Sequence, residues 1–273
     1  MLQPRTWLPR THGSVRLAFA RRGGRTALDV LHQAGAARVR FPRPAQGCPP
    51  EAVLLNTAGG LTGGDRIEMA VALGPGAEAA VTTAACEKIY RARDGDAEIS
   101  ADLTLAPGSH LAWLPQPTIL FDRSRLSRRT QVELAGDAHF LGVEMLIFGR
   151  QAMGEEVHRG AFRDLWRVRR DGTLVFADTF WAEGAVAHML SGRATLAGAR
   201  AAAMLLYVAP DSAGRIDAVR ARLQSVGLTA GASAWNDLLV VRATAGDGRT
   251  LQQGLGALIE DLSGRPLPRV WQC

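Results

Sequence analysis

Residues 69–83 read MAVALGPGAEAAVTT, and the same design returns twice, as ADLTLAPGSHLAWLP at 101–115 and TQVELAGDAHFLGVE at 130–144. In each copy an alternating strand ends in leucine, a short Gly-containing turn follows, and a second apolar strand leaves. The equivalent leucines are Leu73, Leu105 and Leu134, spaced by 32 and 29 residues. Alternation with period two marks a strand with one buried face. A strand–turn–strand unit recurring at about 30 residues predicts stacked coils, each burying its face against the next. An antiparallel sandwich whose hairpins share turn chemistry gives the same local pattern, so both architectures stay open at this point. Either way the first 190 or so residues are mainly β.

Towards the N-terminus, residues 15–31 (VRLAFARRGGRTALDVL) alternate around Gly23-Gly24 and predict a hairpin. The proline-rich run 42–50 (PRPAQGCPP) is a loop or an extended edge. Residues 54–69, LLNTAGGLTGGDRIEM, hold two glycine pairs and an aspartate between apolar runs. A phosphate-binding P-loop needs Lys-Ser/Thr after its last glycine, but Asp65-Arg66 stands there. A dinucleotide fingerprint opens a helix, whereas RIEMAVAL alternates like a strand. The glycines therefore read as a turn or bulge, or as a wall where backbone lies close to backbone.

The C-terminal third changes character. Residues 201–210 are a buried-strand candidate. Residues 211–226 have helical spacing, with Ile216, Val219 and Leu223 on one face and Asp211 or Ser212 placed to cap. NDLLVVRAT at 236–244 is a strand. Residues 248–264 form a second amphipathic helix with Leu251, Leu255, Leu258, Ile259 and Leu262 inward and Gly264 as its stop. No composition break separates these parts. The chain reads as one domain over 1–273, with a β-rich body over 1–200 and a strand-helix-strand-helix cap over 201–273.

With 47% hydrophobic residues and a mean hydropathy near zero, the chain can bury a core. Net charge is +6, and among the 32 basic residues only Lys88 is a lysine. Cys48, Cys86 and Cys273 are widely spaced, which argues against a disulfide framework or a zinc module and fits a reducing cytoplasm. The N-terminus carries arginines and Trp7 without an apolar signal-like run, and no segment reaches membrane-spanning length. A soluble cytoplasmic protein is expected. The run RSRLSRR (123–129) lacks the aromatic interleaving of nucleic-acid binders and reads as a solvated or protein-binding strand face.

No nucleophile or zinc-protease motif is present, and the six histidines are scattered without an HxH or i,i+4 pair. Carboxylates are more informative. Asp65, Glu87, Asp122, Glu144, Glu155, Glu156, Asp178 and Glu183 lie in or beside apolar strand-like stretches. Ionised groups there must be paired or line a wet cavity. Salt bridges to arginine are one reading. A glycoside-cleaving carboxylate pair in a β-helix enzyme is another. The third is a loose path for a divalent metal ion.

Several separate motifs then occur in one order: NTAGGLTGGD (56–65), VTTAACEKIYR (81–91), LAWLPQPTILFD (111–122), FGRQAMGEEVHRG (148–160), GASAWNDLLVVR (231–242) and LPRVW (267–271). Together they resemble the urease accessory protein family UreD, called UreH in some species, nearly end to end. The resemblance implies a non-enzymatic scaffold that joins the accessory protein UreF and the GTPase UreG on urease apoprotein and helps deliver nickel. It also implies a mainly β, β-helix-like fold with two C-terminal helices, which favours the stacked coils. No tightly bound cofactor is implied, only a transient nickel ion on an internal path, with a higher-order complex as the working form.

Carried over position by position, the resemblance nominates seven path-lining or partner-facing residues. Asp65 closes the glycine motif, Glu87 and Lys88 sit in CEKIYR, and Asp122 closes the PQPTILFD run. Glu144 precedes the apolar pair ahead of FGR, Glu155 follows GRQAMG, and Glu183 lies in WAEGA. An ammonium at Lys88 can pair with Glu87 or another interior carboxylate where an arginine fork does not fit. The chain departs from the family around Cys48, which lacks the usual adjacent histidine, and at Cys86 and Glu87, where small residues are common.

Overall fold

The computed structural model describes residues 9–272, so Trp7 and Cys273 lie outside it. The chain begins with strands β1 (His12–Arg22), β2 (Arg25–Gly35), β3 (Ala37–Arg40), β4 (Glu51–Asn56), β5 (Arg66–Leu73), β6 (Glu78–Thr83) and β7 (Glu87–Ile89). There follow β8 (Ala97–Leu105), β9 (His110–Leu114), β10 (Thr118–Leu120), β11 (Arg125–Leu134), β12 (His139–Phe148), β13 (Gly160–Arg170) and β14 (Thr173–Gly184). Helix α1 (Val186–Ser191), β15 (Ala201–Val208), α2 (Ile216–Ser225), β16 (Thr229–Trp235), β17 (Leu238–Ala245) and α3 (Gly248–Ser263) complete it.

The register decides between the two architectures. Leu73 pairs with Leu105, and Leu105 with Leu134, in parallel strands β5, β8 and β11. Phe19 of β1 pairs with Leu73 and extends the row. The repeated leucines are thus rungs of one ladder, and the coils stack. One sheet holds β1, β5, β8, β11 and β13 in parallel, with β2 and β14 antiparallel at its edges. The chain crosses from this sheet to the parallel strands β4, β6, β9 and β12 of a second sheet and returns, coil by coil.

The turns at the crossings are bonded to one another. The Gly76 N–H donates to Pro107 O, the Gly108 N–H to Asp137 Oδ1 and the Gly136 N–H to Asp171 Oδ1. Between the sheets lies a core of inward residues from both, including Leu17, Phe19, Leu103, Leu105, Val81, Trp113 and Phe140. Burying each such side chain stabilises the fold by about 1.5–3 kcal/mol.

The outer face of the second sheet is covered by the C-terminal third. The antiparallel strands β15, β17 and β16 extend that sheet beyond β12. Leu141, Val143 and Met145 pack in one cluster with Leu251, Leu255, Leu258, Ile259 and Leu262 of α3. Strand β12 is therefore buried on both faces, which explains its almost continuous apolar sequence. Asp247 caps α3 by accepting from the Thr250 N–H, and Gly264 ends the helix in the left-handed conformation, as its spacing predicts.

The earlier helix differs from expectation. Residues 212–215 form a 3-10 turn and α2 starts at Ile216, with neither Asp211 nor Ser212 capping it. Asp211 instead accepts from the Tyr207 hydroxyl and Arg215 Nε, while the Ser212 hydroxyl donates to Ala209 O. The strand expected at residues 236–244 begins at Leu238, because Asn236 and Asp237 form the left-handed turn (φ 48° and 58°) of a hairpin with β16. Among the described residues, no helix is long and apolar enough to cross a membrane.

Candidate functional site

Alternation along β11 turns Leu126, Arg128, Thr130, Val132 and Leu134 to the interior and Arg129 and Glu133 to solvent. On β13 the same rule puts Asp164 in line with Phe162, Trp166 and Val168. Arg128 and Asp164 are register partners on these adjacent strands. The guanidinium forks onto the carboxylate, with Nε to Oδ1 at 3.0 Å and Nη2 to Oδ2 at 2.6 Å. Its Nη1 donates to Thr118 Oγ1 at 2.9 Å and lies 2.6 Å from Glu144 Oε1 of β12. That last approach is a close contact without hydrogen-bond alignment, so Glu144 Oε1 has no donor in line.

All three charged side chains are buried. Burial works against the Arg128 charge, but Asp164 and Glu144 outweigh it and hold the guanidinium's proton more firmly than usual. Burial pushes the Glu144 carboxyl up to about 8, with Asp164 adding to the rise and Arg128 opposing it. At neutral pH the protonated form of Glu144 is therefore favoured, beside an ionised Arg128.

The cluster stands between two cavities. One, of about 310 Å³, is lined among others by Asn56, Glu87, Thr118, Arg128, Thr130 and Glu144. The other, of about 380 Å³, is lined by Glu144, Asp164, Trp166, Asp178, Met204 and Arg242. Glu144 faces both, and the Arg128–Asp164 fork spans from one lining to the other. The interior between the sheets is thus interrupted by a polar junction.

The glycine stretch builds one wall beside this interior. Leu61 N–H donates to Lys88 O and Tyr90 N–H to Leu61 O, both at 2.7 Å. A Cβ at Gly63 would lie 2.1 Å from Asp94 O, and one at Gly60 would lie 2.5 Å from the Tyr90 ring. Backbone here runs too close to its neighbours for a side chain.

The sequence matches the family described as UreD urease accessory protein over residues 11–272. It is 48% identical over 255 residues to the urease accessory protein UreD of Methylobacterium sp. strain 4-46, covering 92% of this chain and 90% of that protein. The corresponding protein of Rhizobium etli is 46% identical over 263 residues, covering 96% and 95%, and that of Xanthobacter autotrophicus 45% over 262 residues, covering 96% and 90%. The chain belongs to the UreD family. It is a urease accessory protein with a role in urease maturation, and not a catalytic enzyme. A glycoside-cleaving carboxylate pair has no place in that assignment.

On this UreD scaffold the seven nominated residues fall into three groups. Glu87 and Glu144 line the first cavity together, with Lys88 at its wall. Burial raises the Glu87 pKa against the pull of the Asn56 amide, which donates to both carboxylate oxygens at 3.2 and 3.1 Å. Lys88 is exposed, and it meets Glu87 through its backbone N–H, which donates to Glu87 Oε1 at 3.1 Å. Asp122 and Glu155 meet in a loop cluster elsewhere. Asp122 accepts from the N–H groups of His158 and Arg159, and Glu155 is clamped by Arg150, whose hydrogen bonds hold its pKa low.

The other two stand alone. Asp65 is buried in the glycine loop and accepts from the N–H groups of Thr11 and Thr62, both at 2.8 Å. Glu183, exposed on β14, lies 3.9 Å from Arg125. Asp178, also singled out in the sequence, lines the second cavity and pairs with Arg242 at 3.1 Å.

Sequence reasoning missed Arg128 and Asp164. The run RSRLSRR reads as a solvated face, but only part of it is one. The signal was present, because Arg128 alternates with Leu126, Thr130 and Val132. Cys86 lines the first cavity, and burial raises its thiol pKa; Cys48 lines a third cavity, of about 240 Å³. Among the described residues no group of three or more His, Cys, Asp or Glu side chains is placed to hold a metal ion.

Proposed function

We propose that this chain is the scaffold subunit of a urease-maturation complex. It acts in the cytoplasm with UreF and the GTPase UreG on urease apoprotein, as part of a higher-order assembly. Nickel is its cargo and not a resident cofactor, and neither nucleic acid nor membrane is a partner. The ion moves through the interior of the coil stack, past the polar junction at Glu144.

One observation carries the route: Glu144, Arg128 and Asp164 put buried polar and charged groups between two cavities whose linings also hold Glu87 and Asp178. A dication entering an apolar core loses its hydration at great cost, and polar side chains along the way replace part of it. Isolated oxygen ligands bind nickel loosely compared with a cysteine–histidine cage, which suits passage over storage. Exposed apolar side chains on the edge strands, Leu28, Val30 and Leu31 of β2 and Trp181 of β14, suit a scaffold that meets protein partners.

Deleting the gene tests the role. Urease apoprotein should then assemble but hold little nickel, and tagged copies of this chain should co-purify with UreF, UreG and urease subunits. Fully nickel-loaded, active urease in the deletion strain refutes the reading.

A further inference from the structure

The turn that joins the two sheets is followed in each coil by the same position of the repeat. That position holds Glu78 in the first coil, His110 in the second and His139 in the third. The register sets them side by side, Glu78 against His110 and His110 against His139 on β6, β9 and β12. Their neighbours Ala79, Leu111 and Phe140 point into the core, so this row faces outward. The two imidazoles, 29 residues apart in sequence, stack with ring centroids 4.3 Å apart and planes 34° apart.

We propose that His110 and His139 form a two-histidine site for a divalent transition-metal ion on the outer face of the second sheet. Metal–nitrogen bonds of about 2.0–2.1 Å place two imidazole centroids at right angles on one ion about 4.5 Å apart, close to the spacing here. Glu78 Oε1 lies 4.0 Å from His110 Nδ1, beyond hydrogen-bond distance, and its Oε2 pairs with Arg265 at 3.4 Å, so it adds negative charge beside the two rings without fixing their orientation. Water fills the other positions, which makes the site open and exchangeable. The row begins five residues before Glu144 on β12, about 17 Å along the strand. The site is therefore separate from the interior junction, and it stands whether or not that junction conducts nickel.

Both rings bind as neutral imidazole, so protonation competes with metal. Burial lowers the His139 pKa, with His110 and Arg170 acting the same way and Asp211 and Asp137 opposing them. His110 faces Glu78.

The test is equilibrium dialysis of the tag-free full chain against NiCl2 at pH 7.5, repeated with ZnCl2 and MgCl2. Nickel and zinc should saturate one site that is lost in His110→Ala and in His139→Ala, and magnesium should not compete. Glu78→Gln removes a nearby negative charge and should weaken nickel binding about 3-fold. All three side chains are at the surface, so circular-dichroism melting should show the variants folded as wild type. Unchanged nickel stoichiometry and affinity in the His110→Ala/His139→Ala double variant would mean that the rings only stack, and the proposal would be wrong. Equal competition by magnesium would overturn it too, since imidazole selects against that ion.

Discussion

Replacing Glu144 with Gln keeps the shape of the buried junction and removes its titration. The Glu144 carboxyl releases its proton near pH 8 in the folded chain, against 4.5 as an ordinary carboxyl. A group whose pKa is raised by folding contributes fully below the unfolded value, and that contribution is lost as pH rises through the folded one. Stability of the wild type should therefore fall, relative to Glu144→Gln, between about pH 4.5 and 8. The slope is 1.36 kcal/mol per pH unit, for a total on the order of 5 kcal/mol across the interval. Between pH 5.5 and 7.5 the gap grows by about 3 kcal/mol, which moves the urea midpoint of the wild type down by about 1 M relative to the variant. Urea titrations of both proteins at pH 5.5, 6.5, 7.5 and 8.5 measure it. Glu87, which burial also raises, is present in both proteins and cancels in the difference. A gap between wild type and variant that stays constant with pH refutes the assignment of a neutral, buried Glu144.

Three further perturbations probe the frame. Arg128→Met leaves Asp164 without the fork that holds it, and should cost about 3–5 kcal/mol in urea unfolding; adding Asp164→Leu should recover most of that loss. Gly63→Ala drives a Cβ into the Asp94 carbonyl and should cost about 1–3 kcal/mol, while Gly246→Ala, with open space around it, should change stability by less than about 0.5 kcal/mol. Leu105→Ala removes a rung in the middle of the leucine ladder and should cost about 2–5 kcal/mol, read as a lowered thermal midpoint.

What the sequence made legible follows from what is local. The leucine rungs, the turns between the sheets and α3 with its glycine stop are written in short-range periodicity, and the structure follows them. The choice between stacked coils and an antiparallel sandwich is not local, because alternation states which face is buried but not which strand lies beside it. Resemblance to a family supplied that choice, and the pairing of Leu73, Leu105 and Leu134 explains it. Strand β16 escaped because TAGASAW is small and only half buried, so it lacks an apolar signature.

The site was half legible. Glu144 and Glu87 stand out as carboxylates in apolar strands, and both line the first cavity. Arg128 was hidden by its charged neighbours, and Asp164 by the equally polar FRDLWRVRR around it; only period-two counting separates their inward and outward residues. The histidine pair was hidden differently. His110 and His139 look scattered until the 29-residue repeat is laid over them and the rings fall on neighbouring rungs.

The most direct measurement is the nickel content of urease purified from cells whose only copy of this chain carries Glu144→Leu. Leucine fills the junction between the cavities with apolar atoms, yet leaves Arg128 forked onto Asp164, so the fold and its surfaces persist. The account predicts a complex with UreF, UreG and urease that co-purifies in wild-type yield, and a urease poor in nickel. An intact complex delivering a full nickel complement through the Glu144→Leu chain would contradict the interior route.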